Sequence, residues 1–178
     1  MDAIVRTALP GDADAIVGVL ATVAAEGWIA TEPGFDVDAR REAFREMAEG
    51  RSDDRLWVLE GRDGSIVGIT GLHGTGTAGV LALGMSLLPE ARGGGRGREM
   101  LETAIAWARE EPSVHKLALD VWPENARAIA LYASSGFEVE GLFREHYKRA
   151  DGSLKSALAM GLVLRDANPP TARPGGFR

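Results

Sequence analysis

The run Arg92-Gly93-Gly94-Gly95-Arg96-Gly97 restricts the fold of this chain more than any other stretch. Four glycines in six positions follow an apolar run, residues 80–88. They precede a helical stripe formed by Gly97, Met100, Leu101, Ala104, Ile105 and Ala108. Glycine accepts backbone angles and close approaches that a Cβ forbids. A strand, a sharp turn and a helix must therefore follow one another here. A glycine-rich turn that opens a helix leaves unpaired N–H groups at the positive end of the helix dipole. That is a site for an anion, most often a phosphate. Three consecutive glycines cost conformational entropy with no packing return, which argues against a connection without a ligand. Arg92, Arg96 and Arg98 add positive charge, and the forked donors of arginine suit phosphate oxygens.

The rest of the chain supplies the frame for this turn. Residues 4–6 read as a first strand, and Pro10-Gly11-Asp12 opens a helix that Asp12 is placed to cap. Ile16, Val19, Leu20 and Val23 make its buried face. Residues 28–35 form a loop around Pro33-Gly34, and residues 38–49 a charged helix ended by Gly50. Strands follow at 56–59 and 65–72 as a hairpin around Asp63-Gly64, then at 80–88. After the 97–108 helix come a strand at 116–121, a helix at 126–133 stopped by Gly136, and a final hairpin, 137–147 with 154–164. Helices that interrupt a largely antiparallel sheet predict a single α/β (α+β) domain over residues 1–165. The proline-rich stretch 166–178 is expected to be a disordered tail.

Composition narrows the functions open to such a domain. The formal net charge of −6 argues against a nucleic-acid binder and favours cationic or amine partners. The chain has no cysteine, which removes disulfides, thiolate metal ligands and a cysteine nucleophile together. His73, His115 and His146 are too scattered to suggest a metal site, and none is expected. No signal peptide and no apolar run of about 20 residues is visible, so a cytoplasmic location with no membrane partner is the expectation.

A second glycine motif, Gly74-Thr75-Gly76-Thr77-Ala78-Gly79, matches the dinucleotide fingerprint by letter. That fingerprint needs a helix directly after it. A β-like run follows instead, so a hairpin turn is the expectation here.

Two ordered motifs give the chain a strong resemblance to the GNAT family of acetyl-CoA-dependent N-acetyltransferases. The first is Arg92-x-x-Gly95-x-Gly97, placed after Met85-Ser86-Leu87-Leu88-Pro89. The second is Asn125-Ala126-Arg127-Ala128-Ile129-Ala130-Leu131-Tyr132, followed by Gly136-Phe137-Glu138. The resemblance covers residues 3–164. It implies a mixed, largely antiparallel sheet that splays after its fourth strand to admit acetyl-CoA. It is closest to members that acetylate free amino acids or related small amines, and dimers are frequent in the family, which makes a homodimer the implied assembly. In the last hairpin many such relatives carry an aromatic residue and an aspartate where this chain has Leu154 and Ser156.

The resemblance assigns Gly93, Gly94, Gly95, Arg96, Gly97 and Arg98, with Arg92, to the pyrophosphate. Met85, Ser86 and Leu87 offer main-chain bonds to the pantetheine arm, and the Leu87 N–H resembles the carbonyl-polarising donor. Asn125 and Tyr132 lie two helical turns apart and face the same way. Asn125 then meets the cofactor arm, and Tyr132 protonates the departing thiolate, a phenol of pKa about 10 serving a thiol of about 8.5. Asp120 matches the position of an acidic base in some relatives. A water chain, Glu26, Glu32 and His146 are the alternatives. Trp28, Glu32, Phe35, Trp122 and Tyr147 are candidates for the acceptor pocket. A protein N-terminus or an antibiotic amine as acceptor, and a non-catalytic acyl-CoA-binding module, are the competing readings.

Overall fold

The computed structural model describes residues 3–51 and 54–164, so the 166–178 tail lies outside the described residues. The elements run β1 (Ile4–Thr7), α1 (Ala13–Ala25), α2 (Val37–Ala48), β2 (Arg55–Glu60), β3 (Ile66–Gly74), β4 (Val80–Leu87), α3 (Arg96–Glu110), β5 (Lys116–Val121), α4 (Ala126–Ser134), β6 (Glu138–Lys148) and β7 (Leu154–Val163). The strands form one seven-stranded sheet in the order β1-β2-β3-β4-β5-β7-β6. Every neighbouring pair is antiparallel except β4 and β5. The sheet is thus the mixed, largely antiparallel one that the sequence implies.

The layers follow from strand alternation. In β2, Leu56 and Val58 point to one face and pack with Ile16, Val17 and Leu20 of α1 and Phe44 of α2. Trp57 points to the other face, into a core with Leu101, Ala104, Ile105 and Ala108 of α3 and Tyr132 of α4. Helices therefore cover both faces, and β2 is apolar on both sides because it is buried on both.

One expected cap is replaced. Asp12 precedes α1 but makes no side-chain cap bond. Its carboxylate instead receives the Arg6 guanidinium, at 2.7 and 2.9 Å, and the Leu9 N–H, at 2.7 Å. Those charge-assisted bonds outweigh one bond to a helix N–H, and Arg6 holds the Asp12 pKa below the usual carboxylate value. The second glycine motif is a hairpin turn between β3 and β4, closed by Thr75 Oγ1 donating to Val80 O at 2.9 Å. Gly79 in that turn has φ +74°, and a Cβ there would stand 2.4 Å from His115 Nδ1.

The functional geometry comes from the one parallel pair. β4 and β5 run together only at Val80↔Lys116, Leu81↔Leu117 and Ala82↔Ala118. Beyond these residues β4 stays with β3 as far as Leu87, and β5 stays with β7 as far as Val121. The sheet divides there into two halves.

Candidate active site

The divergence of β4 from β5 opens a cavity of about 1550 Å³. It is lined by Leu83–Leu87 of β4 on one side and Ala118–Val121 of β5 on the other, with the glycine turn, α4 and the α1–α2 loop around them. Register decides which backbone groups face it. Leu88 N–H donates to Val67 O at 2.9 Å, so Leu88 and, by alternation, Ser86 direct their groups to β3. Met85 and Leu87 direct theirs into the gap. Of the three residues assigned to the cofactor arm, Met85 and Leu87 thus present main-chain groups there, and Ser86 contributes a buried side chain.

The glycine turn closes one end. Gly93, Gly94 and Gly95 have φ of +92°, +59° and +83°, three successive left-handed residues that side-chain-bearing residues resist. The triplet therefore has a backbone cause of its own, independent of any ligand. The first helical bond of α3 is Glu99 N–H to Gly95 O, at 3.0 Å, so the N–H groups of Gly97 and Arg98 have no backbone acceptor among the described residues. Gly97 serves close packing as well, since a Cβ there would lie 3.3 Å from Leu131 Cδ2 of α4. A cradle of free N–H groups at a helix N-terminus fits a phosphate group.

The arginines around the turn divide their work. Arg92 donates twice to Leu87 O, at 3.0 and 2.9 Å, and its guanidinium also pairs with Glu26. Arg96 donates to Ala91 O at 3.0 Å, bracing the turn. Arg98 donates to Ser134 Oγ of α4 at 2.7 Å. Arg92, Gly93, Gly95, Gly97 and Arg98 line the cavity; Gly94 and Arg96 complete the turn behind them.

On α4, Asn125 and Tyr132 both line the cavity, as their spacing requires. Asn125 also caps the helix, its Oδ1 accepting from Ala128 N–H at 3.2 Å. An asparagine just before a helical run signals a cap in sequence, and that role was missed. Tyr132 is 7% exposed and packs against Phe137, with ring centroids 5.8 Å apart. Its hydroxyl has no hydrogen-bond partner among the described residues. Burial pushes the phenol up to about 12. Tyr132 therefore stays protonated and neutral at any working pH. The proton transfer to a thiolate is steeper than a pKa of 10 implies, by about 2.7 kcal/mol for two added units.

The amine side is built from distant segments. Tyr147 of β6 donates to Asp120 Oδ2 of β5 at 2.5 Å, and burial together with that bond pushes the Tyr147 phenol up to about 12. Asp120 Oδ1 has no partner among the described residues. Trp122 meets the Tyr147 ring edge-on, with centroids 5.1 Å apart, and donates from Nε1 to Gly27 O at 3.0 Å. Tyr147 reaches this position because β6 bulges between Phe143 and Tyr147, where Glu145 takes φ +51°. Ser156 Oγ of β7 accepts from Glu145 N–H at 3.0 Å and holds the bulge. No glycine marks this bulge, so the sequence carries no signal for it.

Three acceptor-side expectations end elsewhere. Phe35 packs against the core under α1 and α2 and does not line the cavity, because its ring is drawn to that apolar cluster. Glu32 lines a separate cavity of about 520 Å³, where Arg149 Nε stands 2.6 Å from its Oε1. Glu26 is paired with Arg92. Trp28, Trp122 and Tyr147 do line the main cavity. Sequence reading missed Arg40 of α2, which also lines it and whose side chain has no partner among the described residues. His146 is exposed and lies between Phe143, tilted against it, and Tyr147, edge-on to it. Among the described residues no group of three or more His, Cys, Asp or Glu could hold a metal ion, and no helix is long and apolar enough to cross a membrane.

A family model described as "Acetyltransferase (GNAT) family" matches residues 22–137. Among solved structures, a ribosomal-protein-alanine N-acetyltransferase from Brucella melitensis is 27% identical, with a TM-score of 0.77 over 90% of this chain and 99% of that one. A spermidine N-acetyltransferase from Vibrio cholerae, in complex with CoA and spermine, is 21% identical, with a TM-score of 0.77 over 91% and 95%. A phosphinothricin acetyltransferase from Sinorhizobium meliloti, in complex with acetyl-CoA, is 19% identical, with a TM-score of 0.81 over 97% and 95%.

Proposed function

The chain belongs to the GNAT family of acetyl-CoA-dependent N-acetyltransferases, and on that premise we propose that it acetylates the primary amine of a small molecule that also carries an anionic group, an amino acid or a close relative. The parting of β4 from β5 carries the reading, because it joins an anion cradle to a pocket with an acidic group on one wall and a free cation on another.

Acetyl-CoA supplies the activated acetyl thioester. The residues present fit it: free N–H groups at the glycine turn suit its pyrophosphate, and the gap-facing groups of Met85 and Leu87 suit an extended polar arm. Arg92 holds Leu87 O, and Leu88 N–H in the same peptide plane is held by Val67 O, so the end of β4 beside the Leu87 N–H is fixed. A fixed donor facing a carbonyl oxygen on which charge grows is often worth about 3 kcal/mol. Tyr132 keeps its proton and offers it to the sulfur side. Asp120 offers Oδ1 to the amine while Tyr147 holds Oδ2. With no cysteine in the chain, direct attack of the amine is favoured over a thioester on the protein.

Arg40 supports the anionic part of the proposal. An unpaired guanidinium on the wall favours a carboxylate or phosphinate and disfavours a polycation. A thiol-release assay with acetyl-CoA over amino acids, their decarboxylated amines, phosphinothricin and spermidine tests this. Release is expected with the anion-bearing amines. Arg40→Gln should raise KM for those about 10-fold, the worth of a charge-assisted bond, and leave the decarboxylated amines unchanged. Absence of release with every amine would refute the reading; release with spermidine alone would refute its anionic part.

A further inference from the structure

The segment between α1 and α2 forms one wall of the main cavity through Trp28, Ile29, Ala30 and Thr31. It holds no regular structure, so something outside it must fix its shape. Its carbonyls show what does. Gly27 O accepts from Trp122 Nε1 at 3.0 Å. Ile29 O and Ala30 O both accept from Arg149 Nη1, at 3.0 and 3.2 Å. Arg149 Nε stands 2.6 Å from Glu32 Oε1, an ion pair without hydrogen-bond alignment, since that oxygen is buried and makes no hydrogen bond. The Arg149 guanidinium also lies 5.9 Å from the centroid of the Trp122 ring. One side chain, 10% exposed, thus meets two carbonyls, a carboxylate and the tryptophan that binds a third carbonyl.

Arg149 is itself held firmly. It opens the β6–β7 turn, where its N–H donates to Ser153 O at 2.8 Å, its carbonyl accepts from Gly152 N–H at 2.9 Å, and Asp151 Oδ1 accepts from Ser153 N–H at 2.8 Å. β6, which leads into this turn, places Tyr147 on Asp120 two residues earlier. The hairpin that orients the candidate base therefore also shapes the facing wall.

We propose that Arg149 is a positioning residue: it fixes the loop at 27–32 as the acceptor-side wall and thereby sets acceptor affinity without touching the cofactor side. The proposal rests on the acetyltransferase reading for its functional consequence, but its structural consequence does not. Lysine is a poor replacement, because its one nitrogen cannot stand at the Nη1 position against the two carbonyls and at the Nε position against Glu32 at once.

The test uses the full chain with CoA present, in the wild type and as Arg149→Gln and Arg149→Lys. Amide hydrogen exchange is expected to quicken about 10-fold or more in residues 27–32 of both variants and to stay unchanged in residues 96–101 of α3. Calorimetry with CoA should give an affinity within about twofold of wild type. With whichever amine of the panel releases thiol, KM for the amine should rise about 10-fold while kcat changes far less, and lysine should not rescue it. Glu32→Gln, which leaves both carbonyl bonds in place, should have the smaller effect. Unchanged exchange at 27–32, equal quickening across α3, lost CoA affinity or rescue by lysine would each overturn the proposal. Failure of every amine to react would refute the acetyltransferase reading and leave the exchange result to decide this one.

Discussion

The two ends of the cavity are built in opposite ways. The glycine end is local and made of backbone: residues 93–98 supply its N–H groups, and left-handed angles set its shape. The amine end is assembled from side chains far apart in sequence. Arg149 reaches back 120 residues to Ile29, Trp122 reaches 95 to Gly27, and Tyr147 reaches 27 to Asp120. A backbone cradle serves one unvarying group, and substitution in it is punished by strain. A side-chain assembly can be re-tuned one contact at a time. The difference suits a reaction whose donor is constant and whose acceptor varies between relatives.

The largest expected effect tests the point where the two ends meet. Tyr132→Phe should lower kcat about 100-fold if the phenol donates a proton, with CoA affinity unchanged. An unchanged kcat would remove Tyr132 from the chemistry and leave it as core packing. The same variant has a stability signature. The folded-state pKa of Tyr132 is raised to about 12, so its contribution is complete below pH 10 and is lost as pH climbs from 10 toward 12. Two units correspond to roughly 2.7 kcal/mol at most. Denaturant unfolding followed across that window should show a steep loss in the wild type and a shallower one in Tyr132→Phe.

A smaller effect probes the backbone end alone. Gly95→Ala puts a Cβ at φ +83° with no atom within 4 Å, so conformational strain is its whole cost. The strain is about 1–2 kcal/mol, and relief of it by a shift of the turn that misaims its N–H groups is expected to lower CoA affinity about 10-fold by calorimetry, with acceptor KM untouched. Weaker amine binding with normal CoA binding would show that the two ends are not separable. The smallest effect belongs to Asn125→Ala. Loss of the α4 cap should cost about 1 kcal/mol and lower Tm by a few degrees. A larger loss in CoA affinity than in stability would assign the Asn125 amide to the cofactor arm as well.

This contrast also explains what could be read from sequence. Strand, turn and helix around Gly93–Gly95 were legible because the glycines, the alternation in β4 and the stripe on α3 are local signals. Asn125 and Tyr132 were placed on one face by helical period alone. The acceptor side resisted for a physical reason. Glu32 and Phe35 stand in the right loop, but whether a side chain faces the cavity depends on partners elsewhere. Arg149 claims Glu32, and the core under α2 claims Phe35. Tyr147 meets Asp120 only through the bulge at Glu145, which no turn residue announces. Ser156, noted in sequence only as a departure from relatives, is the acceptor that holds that bulge.

The three-residue pairing of β4 with β5 has a consequence for solubility. Past Ala82 and Ala118, two central strands each carry an exposed edge, of the kind that in other proteins recruits foreign strands and drives aggregation. Here the edges face each other across one cavity, which α4, the glycine turn and the α1–α2 loop also line. A slender extended molecule can still reach them. Pro89 just past β4 and Asp120 on β5 are the kind of residues that keep such an edge from pairing with a foreign strand.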